Sequence, residues 1–303
     1  MISDRLFLLD STAFCYRAFY ALRNLTTSFG QPTNAVYGFT TILKKILNDY
    51  QPAYLAACFD ISRDTFRQKK FAAYKIQRPD MPDGLKSQIA YIKDLIRAYG
   101  INIFEQEGYE ADDIIASLCR LSKERKVPVT IVSSDKDMLQ LVDDNTLVLS
   151  PYEEKGTIYD RQKVCERFGV APECIPDVIG LMGDAADNIP GVRGVGEKTA
   201  LKLLEEFGSI EELFKHIEKV TQEKIRSAIK ENMESIRLSK DLAIVDRNID
   251  LDFDIRDKIV LQDITAVKEN GKMRMPKIGI GIKSSKPKSA FLVLGENEIR
   301  IKE

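Results

Sequence analysis

Two rhythms of apolar residues run along the chain. Short, largely apolar runs occupy residues 6–9, 53–59 and 127–132, the last interrupted by Thr130, and they end at or near Asp10, Asp60 and Asp135. Runs of that length without alternation predict strands buried on both faces of a largely parallel sheet. Between them the period lengthens to that of a helix. Val36, Phe39, Leu43, Ile46 and Leu47 mark a helix over 34–49, and Leu85, Ile89, Ile92, Leu95 and Ile96 mark another over 85–98. A third begins near Glu110 and runs through Ile114, Ile115 and Leu118. Residues 147–149 add a strand whose place in the sheet the pattern does not fix. After Asp160 the pattern is chiefly helical, with segments at 164–168, 175–182, 199–207 and 210–217. The expectation is an α/β core, a largely parallel central sheet flanked by helices, followed by a helical region.

With 303 residues, 44% of them hydrophobic, the chain buries a substantial core. No run of 18 apolar residues and no cationic leader is present, so membrane spanning and secretion are not expected and a cytoplasmic address is. The five cysteines form no CxxC pair and the chain has one histidine, which leaves little for a structural zinc site. Net charge is −1, but residues 63–78 hold six basic side chains against Asp64. A cationic segment beside an acidic pocket suits a polyanionic substrate handled through metal ions.

Nine acids fall in five clusters: Asp10; Asp60; Glu110, Asp112 and Asp113; Asp135 and Asp137; Asp184 and Asp187. Three clusters follow predicted strands, where an open α/β sheet presents its crevice, and carboxylate oxygens suit Mg²⁺ or Mn²⁺. Glu110 and Asp113 share a helix face, whereas the spacing of Asp135 and Asp137 fits an extended loop. Asp184 and Asp187 precede the turn signal Asn188-Ile189-Pro190-Gly191. Acids are also commonly solvated groups or helix caps. Their number at strand ends points instead to divalent-metal phosphoryl transfer.

Residues 66–75 interleave Phe66, Phe71 and Tyr74 with Arg67, Lys69, Lys70 and Lys75. Such a segment fits stacking and phosphate contacts with a frayed single strand, with Lys75 or Arg78 at the scissile phosphate. An amphipathic surface helix with its aromatics in the core fits too. Gly191, Gly194 and Gly196 run into Glu197-Lys198-Thr199, a glycine-rich turn before a helix that is suited to phosphate. Residues 266–290 carry seven basic side chains and one acid, and read as a linker, a small β-unit or a nucleic-acid contact.

The ordered set of Leu9-Asp10, Tyr16-Arg17, Phe59-Asp60, Thr65-Phe66-Arg67, Tyr74-Lys75, Arg78-Pro79, Glu110-Ala111-Asp112-Asp113, Ser134-Asp135-Lys136-Asp137 and Met182-Gly183-Asp184 through Gly191 resembles the bacterial 5' nuclease (flap endonuclease) family. The likeness is greatest to the 5'-3' exonuclease domain at the N-terminus of DNA polymerase I. It implies a PIN-like nuclease core over 1–175 with a basic arch over about 63–85. A helix-three-turn-helix DNA-binding region over 176–265 and a basic linker or small terminal unit over 266–303 would follow. It implies two or more Mg²⁺ ions, with Mn²⁺ as substitute, held by the nine acids. Asp10, Asp60, Glu110 and Asp112 form the inner group, with Asp113 at its margin. It further implies K⁺ at the DNA-binding hairpin and catalytic roles for Lys75 and Arg78. Tyr16, Arg17, Arg63, Phe66, Arg67, Tyr74, Gly191, Gly194, Gly196, Lys198 and Thr199 would contact DNA.

The implied activity is 5'-3' exonuclease and 5' flap endonuclease action in primer removal and repair. Its substrates would be DNA with flaps, nicks or frayed, RNA-primed 5' ends. The implied enzyme is a monomer at the nucleoid, with a DNA polymerase acting in cis or in trans. A non-catalytic DNA-junction binder and a PIN-like ribonuclease are the rival readings.

Overall fold

The computed structural model describes residues 4–251 except Asn24, Ser28, Glu154 and Lys155, together with the backbone of five short strands between 267 and 302. In chain order the elements begin with β1 (Leu6–Asp10), α1 (Ser11–Ala21), β2 (Thr26–Thr27), α2 (Asn34–Tyr50), β3 (Tyr54–Cys58) and α3 (Phe66–Lys70). Then come α4 (Asp83–Ala98), β4 (Asn102–Phe104), α5 (Ala111–Glu124), β5 (Val129–Val132), β6 (Thr146–Ser150) and β7 (Thr157–Tyr159). A 3-10 helix, Lys136–Leu141, separates β5 from β6. The helical stretch comprises α6 (Arg161–Phe168), α7 (Ile175–Met182), α8 (Glu197–Phe207), α9 (Ile210–Lys215), α10 (Glu223–Glu231) and α11 (Met233–Ala243).

Two compact units result. The first comprises Met1–Phe59, Asp80–Glu105 and Asp254–Glu303. Within it β1 pairs in parallel with β3, and β3 with β4. Every residue of β1 is buried, as an unbroken apolar run requires when helices cover both faces. On α4 the buried Gln88 accepts from Ala35 and Val36 N–H at 2.9 and 3.2 Å and donates to Asn34 Oδ1 and the Gly84 carbonyl. One side chain thereby satisfies two orphan donors at the start of α2. In the tail, the last strand (Asn297–Lys302) pairs antiparallel with Ser289–Leu294 and with β2.

The second unit comprises Asp60–Pro79 and Gln106–Phe253. Here β5 and β6 are parallel and β7 returns antiparallel. The fold is thus α/β, its strands mostly parallel and flanked by helices. The place of 146–150, unreadable from the pattern, is set by its pairing with β5. Two expectations need correction. The helix at 210–217 stops at Lys215, and a 3-10 turn follows at Ile217–Lys219. Asp135 and Asp137 do not lie on an extended loop, because Asp135 caps the 3-10 helix and accepts from Asp137 N–H at 2.9 Å. Strands β4 and β7, three residues each, are too short for any periodicity to register. Among the described residues, no helix is long and apolar enough to cross a membrane.

Candidate active site

Of the nine acids, Asp10 belongs to the first unit. It ends β1 and caps α1, accepting from Ala13 N–H at 3.3 Å. Tyr16, half-buried and stacked on Tyr20, and the exposed Arg17 lie on that helix. The other eight acids and the basic segment from Arg63 to Arg78 lie in the second unit.

The start of α5 is held by a capping box. Asp113 Oδ2 accepts from Glu110 N–H at 3.1 Å, while the Glu110 side chain receives the Asp113 N–H. Asp60 Oδ1 accepts from Ala111 N–H at 2.7 Å, which brings its carboxylate to the same first turn. Arg67, 2% exposed, lies beneath this turn. Its Nη1 and Nη2 donate to the two oxygens of Asp113, each at 2.7 Å. Nη1 also reaches Glu110 Oε2 at 3.1 Å, and the remaining donors go to the Leu242 and Ile244 carbonyls, both at 2.8 Å. Every guanidinium N–H therefore has a partner. Burial opposes the charge on Arg67, yet the bond to Asp113 and the nearby carboxylates raise its pKa further.

This geometry corrects three assignments. Arg67 is not a DNA contact, because its donors are consumed inside the protein. Asp113, with no exposed surface and both oxygens bonded to Arg67, is a counterion and cap rather than a metal ligand. The ring of Tyr74 is buried, so it does not stack on a base; its hydroxyl meets Glu110 Oε2 at 3.0 Å and Asp187 Oδ2 at 3.3 Å. Nothing in the spacing separates Arg67 from the exposed Lys69 and Lys70, since its partner is 46 positions away.

Lys75 and Arg78 lie against Glu110 and Asp187. Lys75 takes a left-handed φ of 53°, and its N–H donates to the Asp187 carbonyl at 2.9 Å. Its Nζ lies 2.5 Å from Glu110 Oε1 and 3.4 Å from Asp187 Oδ2, and Arg78 Nη2 bonds Asp187 Oδ1. Burial would lower the Lys75 pKa, but Glu110, Tyr74, Asp187 and Asp112 hold it well above its ordinary value. Glu110 moves the opposite way: burial alone would raise its pKa, and Lys75 and Arg67 bring it below the usual value.

The Asp184 to Ile189 segment is a tight turn closed by Asp184 N–H to Ile189 O at 3.0 Å and the return bond at 2.8 Å. It points Asp184 and Asp187 at Asp137, and carboxylate oxygens of the three lie within 4.8 Å of one another. Gly183 and Gly191 make the turn possible. A Cβ on Gly191 would lie 2.1 Å from the Met182 carbonyl oxygen, so protein packing by itself accounts for that glycine. Gly194, with φ of +88°, and Gly196, which caps α8 ahead of exposed Lys198, form the following turn.

Burial, then Asp135, Asp187 and Asp184, push the Asp137 carboxyl well above the usual range. Three all-oxygen donors crowded until one resists ionisation fit a hard divalent cation, which relieves the repulsion and needs no other ligand type. The residues therefore fit a divalent-metal-binding site.

An α/β core carrying a carboxylate cluster suited to a divalent metal is the class that fold and site define. Residues 5–169 match the family model for the 5'-3' exonuclease N-terminal resolvase-like domain, and residues 170–266 match that for its C-terminal SAM fold. A 5'-3' exonuclease of Aquifex aeolicus is 42% identical over 265 residues, covering 87% of this chain and 90% of that protein. DNA polymerase I of Bacillus subtilis is 42% identical over 245 residues, 80% of this chain but 28% of the polymerase. A bacteriophage T5 D15 flap endonuclease variant, solved as a pseudo-enzyme-product complex with DNA and metal ions, shares the fold. That match has a TM-score of 0.64 at 22% identity, over 78% of this chain and 88% of the other. The chain belongs to the 5'-3' exonuclease family, and its activity is that of a metal-dependent 5'-3' exonuclease.

Proposed function

We propose that the chain hydrolyses DNA as a structure-selective 5'-3' exonuclease and 5' flap endonuclease, with Mg²⁺ as the working ion and Mn²⁺ as its substitute. The observation that carries this reading is the convergence of Asp137, Asp184 and Asp187, with Lys75 and Arg78 seated on the same group. Asp137, Asp184 and Asp187 would hold one ion, with Asp135 beside them. Asp60, Glu110 and Asp112 offer oxygens at the first turn of α5. Bound divalent ions supply an activated water and neutralise charge on the phosphate. Lys75 and Arg78 bind the oxygens of the scissile phosphate, which takes the place of the carboxylates they now touch. Tyr74 orients Glu110 and Asp187 through its hydroxyl.

The Gly191 to Thr199 turn grips the duplex backbone, with K⁺ as its ion, and gives affinity without base readout. Substrates are flaps, nicks and frayed 5' ends, RNA-primed ends among them, so primer removal and repair at the nucleoid are the roles. A DNA polymerase, in cis or in trans, is the partner that generates such ends.

The test is cleavage of a 5'-labelled DNA flap in Mg²⁺, with EDTA and Asp184→Ala as controls and binding measured separately. Loss of product in EDTA, and a loss of roughly a hundredfold or more in the variant with binding retained, support the reading. Tight binding by the wild type with no product in Mg²⁺ or Mn²⁺ would overturn it in favour of a junction binder.

A further inference from the structure

From the last residues of α11 onward, the backbone from Leu242 to Ile249 is fastened chiefly by side chains. Arg67 takes the Leu242 and Ile244 carbonyls. Gln140 donates to the Ala243 carbonyl at 3.0 Å and accepts from Val245 N–H at 3.1 Å. Asp113 Oδ1 receives Asp246 N–H at 2.8 Å, and Ser117 Oγ spans the Asp246 carbonyl and Ile249 N–H. Arg120 Nε closes the series on the Arg247 carbonyl at 2.7 Å.

The partners come from two groups that both carry acids. Arg67, Asp113, Ser117 and Arg120 belong to α5 or bind its first turn, where Glu110, Asp112 and Asp60 gather. Gln140 sits on the 3-10 helix headed by Asp135 and Asp137. One short stretch of backbone is thus bonded to both acid-bearing helices at once. Gln140 is buried and uses its amide in both directions, a geometry that fixes the register as well as the distance.

We propose that residues 242–249 are a positioning strap that sets the spacing between the α5 acids and the Asp135 and Asp137 pair, with Gln140 as the positioning residue that couples them. The strap acts through its bonds to Arg67, Asp113, Ser117, Arg120 and Gln140. It governs how tightly the acids hold a divalent ion, in the way that outer-shell partners fix the direction of first ligands. The inference rests on the reading of these acids as metal ligands.

Gln140→Met keeps the volume and removes both hydrogen bonds. Gln88→Met, the same change at an equally buried glutamine in the first unit, is the matched control. Mn²⁺ is titrated into each protein without DNA by calorimetry, and the Mg²⁺ midpoint for flap cleavage and flap affinity in EDTA are measured alongside. Gln140→Met should weaken Mn²⁺ binding and raise the Mg²⁺ midpoint about tenfold. Flap affinity should stay within about twofold, and Gln88→Met should leave both metal readouts at wild type even where its melting temperature falls equally.

Wild-type metal binding with Gln140→Met unchanged, or shifted no more than Gln88→Met, overturns the strap. Wild type that binds no Mn²⁺ overturns the ligand reading itself. Should Gln140→Met fail to fold, Ser117→Ala decides by the same measurements, with a shift of about threefold supporting the strap and no shift overturning it.

Discussion

Two groups of carboxylates in the second unit differ in how fully their charge is met by the protein. Around Arg67 the account is closed: the guanidinium has a partner for every N–H, and Asp113 is fully buried with both oxygens bonded. Around Asp137 the charge is only partly met: Lys75 and Arg78 reach Asp187, yet three carboxylates lie within 4.8 Å of one another and Asp137 is held toward its neutral form. A balanced cluster holds the fold in shape, whereas an unbalanced one stores repulsion until a cation arrives.

The strongest way to break this contrast is on the closed side. Arg67→Met strands a buried Asp113, and urea denaturation should register a loss of about 3–5 kcal/mol. Adding Asp113→Asn should recover part of it, because the neutral amide buries no unpaired charge and its oxygen still accepts a backbone N–H. If the single variant melts like the wild type, the cluster is not a structural counterion pair.

On the open side the sign reverses. Asp137→Asn should stabilise the protein in EDTA by about 1 kcal/mol while abolishing cleavage, since the repulsion is removed together with the ligand. The same carboxyl predicts a pH dependence. With a pKa raised above its unfolded value near 3.8, Asp137 binds its proton more tightly when folded. Its contribution is therefore greatest below that value and is lost as pH rises through the window up to the folded pKa. Glu110, whose pKa is lowered from 4.5, works oppositely: it contributes above its unfolded value and loses that contribution as pH falls through the folded one. Relative to wild type, stability in EDTA should rise more with pH across this range for Asp137→Asn and rise less for Glu110→Gln.

The smallest effect belongs to Lys70→Ala. Its 2.8 Å pair with Asp241 has both side chains about half exposed, and its loss should cost under about 1 kcal/mol. A larger loss would mean that basic residues of this segment are all structural and that burial does not separate Arg67 from its neighbours.

The positions of the acids are more legible in the sequence than what each of them bonds to. Strand-end positions reveal Asp10 and Asp60 because an apolar run that stops at an acid has a physical meaning in an open sheet. Asn188-Ile189-Pro190-Gly191 likewise announces the turn that aims Asp184 and Asp187. Asp113 is different, since its spacing from Glu110 fits both a shared ligand face and a capping box, and the partner that decides is Arg67. Gln140 left no trace, because it bonds to main-chain atoms about a hundred residues later and backbone carries no sequence signal.

The strap also bears on the order in which the chain is made. All nine acids precede residue 188, but the peptide groups that complete Arg67, Asp113 and Gln140 lie at 242–246. Synthesis from the N-terminus therefore delivers every metal-seeking group well before the stretch that spaces them. On the strap proposal, a chain that stops near residue 240 carries the full set of acids and should bind divalent ions more weakly than the full chain, because the peptide groups that space them have yet to be made.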